Sequence, residues 1–236
     1  MGEIEILSKP LDYDFPDDWY EIAIDGHFWL EWRLAAFLRQ ARDLGIPLDA
    51  PWHGLDVGCG HESYLAGFLT RFRDAQGIGV ELDPNVAEEA RRTLREAEVW
   101  RRGEIRIGDF LTLELPSRFD LILLNNNLHY FPAAEHGTLF RRAVSKLTPG
   151  GVLAIQTGVV ESSAVSRLLG ADAGMALLDL FLRSHANLHG LPDLAALHER
   201  LRAAGFPTTG EVPILPGGSS RYVWARLPEE DAGSAG

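Results

Sequence analysis

The stretch LDVGCGHESYLAGFL, residues 55–69, runs from an apolar β-type segment into Gly58, Cys59 and Gly60 and then resumes with helical spacing. Two glycines between a strand and a helix let a ligand approach the main chain, with the free N–H groups of the helix start close by. The next β-type run ends in GVELDP, where Glu81 can accept hydrogen bonds from both hydroxyls of a ribose. Spacing and chemistry together predict a ligand that contains a nucleoside. NAD and S-adenosylmethionine both meet that description. A dinucleotide site normally has a third glycine where this chain has Ser63, because a pyrophosphate lies across the helix start, and Glu62 would repel a diphosphate.

A second set of chemical groups follows the run FDLILLNNNLHYF, residues 119–131. His129 falls just past the carboxyl end of a central strand, where open α/β sheets bind ligands, so it is the leading candidate for a general base; packing as a hydrogen-bonding structural residue is the alternative. Tyr130 beside it is a candidate for the substrate pocket. Cys59 has no assignable His or Asn partner and reads as a small residue that fits the glycine turn. His185 and His189 in HANLH are four apart, a spacing that can bind metal on a helix, but no HExxH motif accompanies them and Gly190 follows at once, so no metal site is expected.

Positioning these groups requires one sizeable core, which 236 residues can supply in a single α/β domain. From His53 onward, short β-type runs near 54–57, 77–81, 105–108, 119–125 and 151–158 alternate with helical stretches near 63–73, 85–98 and 135–147. That alternation predicts a doubly wound, mostly parallel sheet covered by helices on both faces. Asp83 and Pro84 suit the N-cap and first turn of a helix, and LTPGG, 147–151, reads as a turn into the next strand. Residues 160–190 interrupt the pattern with a Leu- and Ala-rich helical insertion after the fifth strand, placed where a lid would lie. LPDLAALHERLRAAGF is a further amphipathic helix, and two β-type runs around Gly217 and Gly218 predict an antiparallel hairpin. Residues 1–50 read as a helical cap, 51–228 as the ligand-binding domain and 229–236 as a flexible tail.

Composition narrows the partners. Lys and Arg total 22 against 34 Asp and Glu, a formal charge of -12, which repels phosphate backbones and anionic membranes at long range. The one dense basic stretch, Arg91 to Arg106, alternates with glutamates and reads as a solvated helix face followed by a loop. One cysteine excludes an intrachain disulfide, the amino terminus lacks the n- and h-regions of a secretory signal, and no apolar run is long enough to span a bilayer. The expectation is a cytoplasmic protein acting on a small molecule, with neither nucleic acid nor membrane as partner.

LDVGCG, GVELDP, IRIGDF, FDLILLNNNLHYF and LTPGGVLAIQ, in that order over residues 54–158, resemble the successive motifs of the class I S-adenosylmethionine-dependent methyltransferases. The terminal hairpin is similar to the reversed last strand of that family's seven-stranded sheet. The resemblance implies S-adenosylmethionine as cofactor and S-adenosylhomocysteine as product, with an O or N atom of a small molecule as methyl acceptor. It implies that Asp56, Gly58, Cys59 and Gly60 face the methionine part, Glu81 the ribose, Leu82 one adenine face, and Asp109 with Phe110 the adenine edge and rim. Asn125 and Asn126 would lie beside the methionine amino group and the transferable methyl. HFWLEWR, 27–33, resembles a segment that precedes the core in some small-molecule members, so Tyr20, His27, Trp29 and Arg33 could line the acceptor pocket or contact the methionine carboxylate, or else form an aromatic face packed on the core. The family commonly has a further Gly or small residue where this chain has Glu62. A non-catalytic relative and an NAD-dependent oxidoreductase are the alternatives.

Overall fold

The computed structural model describes residues 51–61, 64–116, 118–159, 176, 179–180, 182–184, 188–214 and 220–229. The expected helical cap, Glu62 and Ser63, most of the expected insertion and all but the first residue of the expected tail lie outside them. In chain order the elements are β1 (His53–Val57), α1 (Tyr64–Arg71), β2 (Gln76–Glu81), α2 (Pro84–Glu96), β3 (Gly103–Ile107), β4 (Phe119–Asn125), α3 (His136–Lys146), β5 (Leu147–Gly158), α4 (Leu194–Ala204), β6 (Thr208–Pro213) and β7 (Ser220–Arg226).

The strands form one seven-stranded sheet in the order β3-β2-β1-β4-β5-β7-β6. The first five pair in parallel, and β7 runs antiparallel between β5 and β6. The chain leaves β1 toward β2 and β3 on one side and returns to β4 and β5 on the other. The switch point therefore lies between β1 and β4, where ligands bind in open α/β sheets.

Alternation along the strands explains why LILL reads as continuously apolar. Leu121 and Leu123 enter a core layer under α1 and α2 with Leu65, Phe68 and Leu94, whereas Ile122 and Leu124 enter the opposite layer with Leu139, Phe140, Leu197 and Leu201 of α3 and α4. The boundaries have local causes. Asp83 accepts from Asn85 N–H at 2.7 Å and Val86 N–H at 3.4 Å, capping α2 ahead of Pro84. Asp193 caps α4 through Ala196 N–H at 2.8 Å.

The basic stretch splits between two roles. Arg91 and Arg95 pair with Glu88 at 3.2 and 3.1 Å on the solvated face of α2. Arg102 instead turns inward and donates to the carbonyls of Leu69, Phe72 and Ala75 at 2.7 to 3.0 Å, neutralising the carboxyl end of α1. The fifth strand begins earlier than its sequence indicates. Leu147 pairs with Phe119 before a register shift that brings Leu121 beside Val152, so LTPGG becomes an irregular strand start rather than a separate turn. Among the described residues no helix is long and apolar enough to cross a membrane.

Candidate functional site

Three strand ends meet at the switch point. At β1, Gly58 and Gly60 have φ of +63° and +60°, in the left-handed region that a Cβ disfavours. Their surroundings differ. A Cβ on Gly58 would stand 2.6 Å from the side-chain nitrogen of Asn127, so the protein's own packing demands glycine there. Among the described residues a Cβ on Gly60 would meet nothing within 4 Å, so no described side chain fills the turn there. Between them, Cys59 donates its N–H to Val80 O at 3.0 Å and buries its sulfur over β2, 2.8 Å from where a Cβ on Gly79 would stand. Burial, with Asp56 and Glu81 adding negative charge, pushes its thiol well above the usual range. Cys59 is thus packed as a wedge against β2.

At β2, the half-buried carboxylate of Glu81 gathers three main-chain donors: Gly60 N–H at 3.0 Å on one oxygen, and Leu82 and Asp83 N–H at 2.8 and 3.1 Å on the other. Leu82 is 47% exposed, and Ile107, beside Glu81 in register at the end of β3, is 41% exposed. Exposed apolar side chains at two adjacent strand ends offer a surface on which a flat base can lie. Asp109 closes the next turn by accepting Leu111 N–H at 2.8 Å, and Gly108 N–H donates to Glu81 O at 2.9 Å. Phe110 departs from the expected rim position. Its ring is buried in the α3 layer, with the Arg142 guanidinium 5.8 Å from its centroid and donating to its carbonyl. It fixes the turn from beneath, because an apolar ring with a core to enter does so.

At β4, the three asparagines divide. Asn125 donates to buried Asp56 at 3.4 Å. Its Oδ1 and the Oε1 of Gln156, its partner in register on β5, are both buried with no hydrogen-bond partner among the described residues. Asn126 adopts φ of +51° and is exposed. Asn127 folds back, donates its amide to Val57 O and lies over Gly58, tying β4 to the glycine turn. The spacing of the glycines carried no sign of this lock; the NNN run was its only trace. Gln156 was likewise missed, although a polar residue inside the apolar run VLAIQ is a visible signal.

Beyond Asn127 a single 3-10 turn, Leu128–Tyr130, presents His129 and Tyr130, whose rings lie 4.5 Å apart. Desolvation, with His189 as a second cause, pushes the His129 imidazole down to about 4. His189 N–H donates to His129 O at 2.7 Å, bringing the end of the expected insertion onto this turn. Tyr130 is 39% exposed. A cavity of about 390 Å³ opens past the end of β5, between Val159, the start of α4 and the hydrogen-bonded pair His198 and Glu211. Tyr20, His27, Trp29, Arg33 and His185 lie outside the described residues. Among the described residues no three His, Cys, Asp or Glu side chains are arranged to hold a metal ion.

An open α/β sheet with a glycine turn, an acidic residue at the end of the next strand and apolar side chains beside it has the groups that suit a nucleoside. Residues 55–151 match the family model described as a methyltransferase domain. The trans-aconitate 2-methyltransferase of Methylobacterium radiotolerans is 35% identical over 128 residues, 54% of this chain and 46% of that protein. That of Deinococcus radiodurans is 30% identical over 198 residues, 79% of this chain and 73% of that protein. The 8-amino-8-demethylriboflavin N,N-dimethyltransferase of Streptomyces davaonensis is 30% identical over 184 residues, 77% of this chain and 47% of that protein. Among solved structures, an O-methyltransferase of neocarzinostatin biosynthesis in complex with S-adenosylmethionine and 2-hydroxy-5-methyl naphthoic acid is 25% identical. Its TM-score is 0.61, covering 77% of this chain and 50% of that one. An O-methyltransferase family protein from Burkholderia thailandensis shares the fold at a TM-score of 0.63 and 23% identity, covering 84% and 59%. The chain belongs to the class I S-adenosylmethionine-dependent methyltransferases. It spans about half the length of the first relatives it matches, 46% and 44%. Of the two cofactors that the glycine turn and Glu81 leave open, the family's is S-adenosylmethionine.

Proposed function

We propose that the protein transfers the methyl group of S-adenosylmethionine to an O or N atom of a small molecule. The observation that carries this reading is the glycine turn, unfilled by any described side chain at Gly60 and tied to the ribose-facing carboxylate of Glu81. The residues present suit that cofactor. Glu81 has an acceptor site left for a ribose hydroxyl, Leu82 and Ile107 suit the purine, and Asp56 with the free oxygen of Asn125 suits an ammonium group at the switch point. Asp109 stands at the adenine edge, and Asn126 borders the mouth.

When bound, the cofactor supplies a sulfonium-activated methyl, whose carbon–sulfur bond breaks as the bond to the acceptor atom forms. The protein's part is alignment and exclusion of water. The acceptor sits over the ends of β4 and β5, beside His129, Tyr130 and the cavity at Val159. His129, with its imidazole held down to about 4, is neutral at physiological pH and a weak base. It accepts or donates a hydrogen bond that orients the acceptor, and it suits an acceptor atom that is already ionised or carries a free lone pair. The relatives named for a carboxylic acid and for an amine fall within that range.

The test is transfer of a tritiated methyl from S-adenosylmethionine to a panel comprising trans-aconitate, hydroxy-aromatic acids, aryl amines and unactivated alcohols. Label is expected in an acidic or amine acceptor and not in the alcohols. A protein that binds the cofactor and labels none of them would be a binding relative rather than an enzyme on small molecules.

A further inference from the structure

The Glu81 carboxylate is engaged on both sides by the chain itself. One oxygen accepts Gly60 N–H and the other accepts Leu82 and Asp83 N–H, which joins the loop after β1 to the loop after β2. Among the described residues nothing stands within 4 Å of a Cβ position on Gly60, and its φ of +60° is one that glycine adopts no more readily than the negative-φ alternatives, so the Glu81 hydrogen bond helps select it. We propose that Glu81 is a positioning residue for the glycine turn, so that recognition of the ribose and of the amino-acid arm of the cofactor is coupled through its carboxylate. The inference rests on S-adenosylmethionine being the ligand, and it goes beyond ribose recognition by assigning Glu81 an effect on a part of the ligand it does not touch.

The coupling has a stated route. A ribose hydroxyl that donates to Glu81 fixes the carboxylate's rotamer, the carboxylate fixes Gly60, and Gly60 borders the space for the amino-acid arm. Glu81→Gln separates the two roles. It keeps one oxygen, which stays with the two donors Leu82 and Asp83 because two hydrogen bonds outweigh one. The amide NH2 then faces Gly60 N–H, donor against donor.

Two measurements decide. In the ligand-free protein, amide hydrogen exchange over residues 57–61 should accelerate in Glu81→Gln relative to the native chain. In calorimetric titration, affinity for adenosine, which carries the base and ribose without the amino-acid arm, should fall by about threefold, and affinity for S-adenosylhomocysteine by at least about tenfold more than that. Arg102→Ala, which frees the carboxyl end of α1 and touches neither loop of the clamp, is the control for general destabilisation and should affect both ligands alike. Equal losses for adenosine and S-adenosylhomocysteine in Glu81→Gln, or unchanged exchange at Gly60, would overturn the positioning role. A native protein that binds neither ligand would instead overturn the cofactor reading, and the exchange experiment would still report on the clamp.

Discussion

The two glycines of the turn should respond oppositely to the same substitution. Both sit near φ of +60°, so Ala at either costs about 1–2 kcal/mol of backbone strain. At Gly58 the added methyl also lands 2.6 Å from the Asn127 amide, which must swing out and abandon its bond to the buried carbonyl of Val57. An orphaned buried carbonyl adds about 1–3 kcal/mol, so Gly58→Ala should lose about 2–5 kcal/mol in all, a large share of an ordinary domain's stability. At Gly60 the methyl meets none of the described residues within 4 Å, so the strain is the cost that remains. The space it enters is where the amino-acid arm of the cofactor belongs, so Gly60→Ala should weaken S-adenosylhomocysteine by tenfold or more, at least about 1.4 kcal/mol. Urea denaturation measures the first quantity and calorimetry the second. The reasoning is refuted if Gly60→Ala binds S-adenosylhomocysteine as tightly as the native chain, or if it is as unstable as Gly58→Ala.

His129 predicts a pH dependence of stability. Its folded-state pKa is lowered to about 4 from the ordinary 6.5, so the unfolded chain binds the extra proton first. Stability is fully present above pH 6.5 and falls as pH drops toward 4, by about 3 kcal/mol from this group, and His129→Phe should flatten that slope in urea titrations at pH 7 and pH 5. Asn127→Ala should lose about 1–3 kcal/mol by leaving Val57 O unpaired, and should weaken S-adenosylhomocysteine although Asn127 is not a ribose contact. Cys59, buried with its thiol pushed up, should resist a thiol reagent in the native protein and react on unfolding; labelling at native rates would contradict its packed position.

The parts of this site that were legible in the sequence are those governed by local rules. Gly58, Gly60 and Glu81 could be read because a strand-to-helix turn and a strand-end acid have fixed spacing, and Asp83 and Pro84 because a helix start has its own chemistry. The parallel pairing of the first five strands followed from the alternation of β-type and helical runs, whereas their order in the sheet did not. What escaped depends on contacts between distant segments. Asn127 reaches Val57 across 70 positions, and Gln156 lies beside Asn125 only through the pairing of β4 with β5. Phe110 looked like a rim residue because its motif sits at the carboxyl edge, yet its ring had a core to enter under Arg142. His129 was correctly placed beyond a central strand, but its weakened basicity comes from burial that spacing does not reveal.

The central claim is that the edge between β1 and β4 holds S-adenosylmethionine. Calorimetric titration of the purified protein with S-adenosylmethionine, S-adenosylhomocysteine and NADH, after confirming that no nucleoside has co-purified, tests it most directly. The account predicts one-to-one binding of both sulfur nucleosides and no heat from NADH; binding of NADH without the other two would contradict it.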